Sequence, residues 1–149
     1  MAKTIERLYK KIYKRPSIDD YYLNIAKAVS LRSSCLIRQY GAVVVKNGEI
    51  ISTGYNGSPR GNINCCDIGY CKRYDEGDHT HNDGNYNSCE SVHAEMNALL
   101  SASRSEMIDS TLYLYGLENG KTIDCEPCPI CSRLIKNAGV VRVVCSKNE

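Results

Sequence analysis

Two short clusters hold side chains able to do metal-assisted chemistry in this 149-residue chain. His93 is followed two positions later by Glu95, and Pro127 precedes Cys128 and Cys131. Thiolates and imidazoles are the ligands zinc prefers, and cysteines three apart on a helix present their sulfurs on one face. One imidazole and two thiolates make three ligands, so a four-coordinate zinc keeps one position for water and brings that water's pKa toward neutrality. Glu95, two residues from His93, can stay off the metal yet reach the water and carry protons as a general acid–base. A lone C-x-x-C pair also occurs as a structural zinc half-site or a redox couple. The two clusters together, each opening a helix, are far more specific.

These residues need elements to place them. Ser17 is a good N-cap, with Asp19 and Asp20 in the first turn, and Ile18, Tyr21, Tyr22, Ile25, Ala28 and Val29 recur at helical spacing. Residues 41–46 and 50–55 read as strands joined by Asn47 and Gly48, both tolerant of positive φ. The patterns predict a helix over about 92–104, a strand over 112–117, a loop over 118–124 turning at Asn119 and Gly120, a helix over 128–138 ended by Gly139, and a last strand over 140–145. That order predicts an α/β fold with a mixed sheet covered by helices. Residues 56–90 have no period, and so long an irregular stretch needs something to hold it. Residues 1–16 form a basic segment expected to be helical, with Ile5, Leu8, Tyr9 and Ile12 on its apolar face, and residues 17–149 form the main domain.

Composition narrows the class. A formal charge of +2 is too balanced to argue for nucleic acid. No apolar run approaches a membrane span, and no signal peptide is visible before Arg15, so a cytoplasmic protein is expected. Nine cysteines, an odd number, argue against a disulfide framework in a reducing compartment and for metal instead.

The H-x-E and P-C-x-x-C motifs, with residues 33–42 and the G-Y-N-G-S-P-R-G run over 54–61, resemble the cytidine deaminase superfamily, and within it the deoxycytidylate (dCMP) deaminases. The resemblance spans nearly the whole chain. It implies a three-layer α/β/α cytidine-deaminase-like fold whose mixed central sheet has four or five strands. It also implies hydrolysis of dCMP to dUMP and ammonia, the precursor step for dTMP. His93, Cys128 and Cys131 would hold the zinc and Glu95 would be catalytic. Asn56 matches the asparagine that contacts the sugar, although Asn56 and Gly57 are also good turn residues. Arg32, Arg38 and Arg60 are candidates for the phosphate. Some dCMP deaminases carry a second, structural zinc, which would here use Cys35, Cys65, His81 and Cys89 and would clamp the long insertion; free thiols in a loop are the plainer reading. A homo-oligomer, commonly a hexamer, and the effectors dCTP and dTTP are further implications.

Two features depart from the resemblance. The chain ends soon after the 140–145 strand, where relatives usually add another helix and strand, and the 118–125 link is longer than in many of them. The enzymatic alternatives are deaminases of cytidine, guanine or tRNA adenosine. The non-enzymatic alternative is a zinc-stapled binding module, which would have no use for Glu95.

Overall fold

The computed structural model of the protein describes residues 13–77 and 88–148. The expected N-terminal helix therefore lies almost wholly outside the described residues. Helix α1 spans Ile18–Ser30, and Ser17 caps it by accepting the Asp20 N–H at 3.1 Å. Strands β1 (Arg38–Lys46) and β2 (Glu49–Tyr55) form the expected hairpin, with Asn47 and Gly48 both at positive φ. Two four-residue helices follow, α2 (Cys65–Ile68) and α3 (Lys72–Asp75). Then come α4 (Ala94–Leu100), α5 (Arg104–Met107), β3 (Thr111–Glu118), β4 (Lys121–Ile123), α6 (Pro129–Ala138) and β5 (Arg142–Cys145).

The sheet is mixed and has five strands. Strand β1 lies between β2 and β3, antiparallel to both, and β3 is the strand to which the rest attaches. Its far edge is shared: β5 pairs in parallel with residues 111–114, while β4 pairs antiparallel with residues 116–118. Ser146 closes the seam, its hydroxyl accepting from Gly116 N–H at 3.1 Å and donating to Ile123 O at 3.0 Å. Strand β4 was expected to be loop; three residues are too few to show a period, but Asn119 and Gly120 at positive φ make the tight turn that pairs them.

Helices cover both faces, so β1 and β3 are apolar on both sides. Val43, Val45, Tyr113, Tyr115 and Leu117 pack with Tyr22 and Ala26 of α1. Ala42, Val44, Leu112 and Leu114 pack on the other face with Ala94 and Ala98 of α4 and Cys131 and Ile135 of α6. The start of α1 is tied down by Asp19, which accepts two hydrogen bonds from Arg142 of β5, at 2.5 and 2.9 Å, and one from Tyr113 at 2.9 Å.

The helix expected over 92–104 is instead two helices. Ser101 caps the end of α4 and its hydroxyl donates back to Asn97 O at 2.7 Å, while Ser103 and Glu106 form a capping box that starts α5. Serines offering local alternatives to the helical ladder break it there.

Two glycines let the helices come close. A Cβ on Gly54 of β2 would overlap Ala94 O and Ala98 N of α4, and one on Gly41 of β1 would overlap Ala26 O and Ser30 N of α1. Neither obstacle is a side chain that can rotate away. Gly54→Ala is expected to destabilise the protein by about 1–3 kcal/mol, the usual cost of overpacking. Because α4 carries the His93–Glu95 segment, it should weaken zinc retention more than Gly41→Ala does. Urea midpoints together with metal content after dialysis would check both expectations.

Candidate metal and active site

The two reactive clusters occupy equivalent places on facing helices. His93 is the N-cap of α4 and Cys128 the N-cap of α6, both in extended conformation with ψ of 154° and 164°. Pro129 starts α6, a position where its missing N–H costs nothing. Cys131 lies one turn on, and its N–H donates to Cys128 Sγ at 3.3 Å. Helix starts present unsatisfied N–H groups and a positive dipole end, which favour thiolates.

The three ligand atoms meet. His93 Nδ1 is 3.5 Å from Cys128 Sγ and 3.4 Å from Cys131 Sγ. Zn–N and Zn–S bonds of usual length at a tetrahedral angle give an N···S edge of about 3.6 Å. The spacing and the S₂N donor set thus fit a zinc ion with one further position. Among the described residues no other group of three or more His, Cys, Asp or Glu brings its ligand atoms within 4.8 Å of one another. Burial, and then the Arg73 charge, hold His93 below its ordinary range, so it is neutral and available as a ligand.

Glu95 is only 5% exposed, in the first turn of α4. Burial pushes its carboxyl up to about 6, against the hydrogen bonds it accepts from its own N–H and from the Cys131 thiol. Burial, followed by the nearby Glu95, in turn raises the Cys131 thiol. A carboxyl beside the ligand sulfurs, titrating near neutrality, is equipped to exchange protons with whatever reacts at the metal.

The cleft over these residues is walled by Tyr40, Asn56, Arg38, Arg73, Ser91 and Glu126. Asn56 is buried and does both things its sequence allowed. Its Oδ1 accepts from Ser33 Oγ at 2.6 Å and Tyr40 N–H at 2.8 Å, and its Nδ2 donates to Arg38 O at 2.9 Å, tying three segments together. Asn56 Nδ2 carries two hydrogens, of which this bond uses one, and the residue lines the cleft. Arg38 lines the cleft but pairs with Glu118 at 2.9 Å. Arg32 and Arg60 are exposed and line no part of it. Arg73 and Ser91 were not anticipated. Both lie in or beside the aperiodic insertion, where nothing in the sequence tells which way a side chain faces.

Of the four residues expected around a second metal, Cys35, Cys65 and Cys89 lie on one cavity next to the cleft, and His81 is outside the described residues. Cys71, outside that set of four, joins them there. Burial pushes the Cys35 and Cys65 thiols up, and the neighbouring thiols of this group add to the effect.

Comparison with known proteins agrees with this geometry. Residues 16–147 match the sequence profile of the "Cytidine and deoxycytidylate deaminase zinc-binding region". The chain is 41% identical over 139 residues to the deoxycytidylate deaminase of Mycobacterium phage D29, covering 91% of this chain and 98% of that protein. It is 38% identical over 135 residues to that of Saccharomyces cerevisiae, covering 90% of this chain but 39% of the yeast protein. The dCMP deaminase of cyanophage S-TIM5 in its apo form superposes with a TM-score of 0.63 at 32% identity, covering 90% of this chain and 86% of that one. Its complex with dCMP and dUMP superposes with a TM-score of 0.57 at 30% identity, covering 89% of this chain and 83% of that one.

Proposed function

The chain belongs to the family of zinc-binding cytidine and deoxycytidylate deaminases, and on that footing we propose that it hydrolyses dCMP to dUMP and ammonia. The observation that carries the reading is a His/Cys/Cys cluster spaced for zinc with Glu95 buried beside it. His93, Cys128 and Cys131 would hold the metal, and bound zinc would supply a water acidified toward neutral pH. Glu95 does the rest of the proton work. A carboxylate oxygen of Glu95 takes the first proton as water adds to C4 of the base and passes it to ring nitrogen N3; it then takes the second proton from the C4 hydroxyl and gives it to the departing amine, so that ammonia leaves and the C4 carbonyl of dUMP forms. Asn56 turns its spare Nδ2–H toward the sugar. The buried floor formed by Ala94 and Cys128 keeps bulk water from the reacting carbon.

A structural zinc clamping the insertion belongs to the same reading, with Cys35, Cys65, His81 and Cys89 as ligands. The shared cavity of the three described cysteines supports it. A cytoplasmic homo-oligomer, hexameric and responsive to dCTP and dTTP, completes the proposal. Exposed apolar side chains such as Leu100 and Val141 are of the kind an interface covers.

Ammonia release from dCMP, deoxycytidine, cytidine, guanine and a tRNA substrate tests the reading. We expect kcat/KM for dCMP to exceed that for deoxycytidine by at least tenfold, about the least that one charge-assisted hydrogen bond contributes. Preference for any other substrate on the panel would overturn it. Metal analysis should find two zinc ions per chain; one would remove the structural site.

A further inference from the structure

Two cysteines lie outside both the catalytic cleft and the cysteine-lined cavity beside it. Cys125 follows β4 and Cys145 ends β5, so they meet at the seam where those strands share the edge of β3. Cys145 is the ladder partner of Leu114, and Cys125 Sγ lies 3.5 Å from the Leu114 carbonyl oxygen. Cys125 N–H donates to Ser146 O at 3.3 Å and Ser146 N–H to Leu114 O at 2.9 Å, which holds the three segments together. Both side chains face the core between the sheet and helices α4 and α6. The thiols are in contact, the Cys145 S–H donating to the Cys125 sulfur.

Buried cysteines often do no more than fill space. A pair in hydrogen-bond contact has further chemistry open to it. A zinc site would need a third donor, and among the described residues no third His, Cys, Asp or Glu joins these two with its ligand atom within 4.8 Å. Two thiols side by side on one face, without a third partner, are arranged to give up two electrons and bond with little backbone movement. Their contact also divides the roles. The hydrogen bond from Cys145 holds the Cys125 thiol below its ordinary range, against the effect of burial. The same bond, and then burial, push the Cys145 thiol up. Cys125 is therefore the better attacking sulfur, and Cys145 keeps its proton. Cys125 is only 7% exposed and Cys145 is half-buried, so a small oxidant suits the pair better than a bulky disulfide.

We propose that Cys125 and Cys145 form a peroxide-sensitive dithiol that closes to an intrachain disulfide across the seam between β4 and β5. The Cys125 thiolate attacks one oxygen of hydrogen peroxide, the O–O bond breaks, and hydroxide leaves and takes up the proton that Cys125 gave up. The product on Cys125 is a sulfenic acid. The Cys145 sulfur then attacks the Cys125 sulfur, the S–O bond breaks, and the hydroxyl leaves as water with the Cys145 proton. The two sulfurs together lose two electrons, and the peroxide is reduced to two waters. The bond closes a loop of about twenty residues that contains α6 with Cys128 and Cys131. It clamps the segment that presents both zinc-binding sulfurs without consuming either of them, and a thiol reductant reopens it. Such a switch is the kind of disulfide a reducing compartment tolerates.

Equimolar hydrogen peroxide added to the reduced, zinc-loaded full chain tests the proposal, with free thiols then alkylated and the peptides mapped by mass spectrometry. The Cys125 and Cys145 peptides should appear joined, with zinc content unchanged. The melting temperature should rise by about 5–10 °C and fall back on treatment with dithiothreitol. Cys145→Ser should abolish both the crosslink and the rise, and should leave a Cys125 sulfenic acid that dimedone traps. If both cysteines of the wild-type chain are alkylated instead, if crosslinks form among other cysteines in their place, or if zinc is released before the crosslink appears, the proposal is wrong. The wild-type peptide map decides even if Cys145→Ser does not fold.

Discussion

Glu95→Gln is expected to keep its zinc and to lower kcat for dCMP about a thousandfold, in the middle of the range removed with a general acid–base group. The amide matches the carboxyl in shape, which matters because Glu95 is almost fully buried and truncation to alanine would add a cavity to the lost chemistry. It cannot shuttle a proton at any pH near neutrality. Glu95 is not needed to hold the metal, since His93, Cys128 and Cys131 already meet without it. Zinc content by atomic absorption should therefore be unchanged, and KM should move much less than kcat. A variant that retained a tenth of the wild-type rate would remove Glu95 from the proton path.

Stripping the metal with a chelator is expected to abolish turnover and to lower the melting temperature by about 10 °C. At a zinc concentration a thousand times the Kd, binding to the folded state alone contributes about 4 kcal/mol. In a chain of this size each kcal/mol moves the midpoint by about 2–4 °C. The metal-free protein should also acquire a particular pH dependence. The Glu95 carboxyl is raised from 4.5 to about 6 by burial, so its contribution to stability is fully present below about pH 4.5 and is lost as pH rises through 6. That shift is about 2 kcal/mol. His93, whose pKa is lowered, acts in the opposite sense: its contribution is present above its unfolded pKa and lost as pH falls. Comparing metal-free wild type with metal-free Glu95→Gln isolates the carboxyl. The difference in melting temperature between them should change steadily from pH 5 to pH 7, wild type losing ground to the variant, and parallel curves would refute the assignment. Adding zinc should restore both activity and midpoint.

The clustering of His93, Cys128 and Cys131, with Glu95 beside them, was legible in the sequence because its geometry is local. His93 and Glu95, and Cys128 and Cys131, are placed by the starts of two helices, and helix ends carry strong signals: Pro129 at the first turn, Gly139 at φ 94° past the end. The hairpin at Asn47 and Gly48 and the cap at Ser17 were readable for the same reason. What escaped was set by longer range. Strand β4 exists because β3 offers an edge that β5 leaves free, which no three-residue window can reveal. Arg73, Ser91 and Cys71 line their cavities through the path of an insertion without periodicity, so only the folded chain shows where they face.

The same geometry has a consequence for how the protein comes to be loaded. His93 lies 35 and 38 residues before the two sulfurs it meets, and β3 and β4 lie between them. Closing that loop costs entropy, which the pairing of β3 with β1 and β5 helps to return. On the ribosome, then, no complete ligand set exists until Cys131 has emerged and the sheet has formed. Before that, the growing chain offers passing ions only an isolated imidazole or a bare thiol pair. Zinc acquisition is therefore expected to follow assembly of the sheet that brings His93 to Cys128 and Cys131.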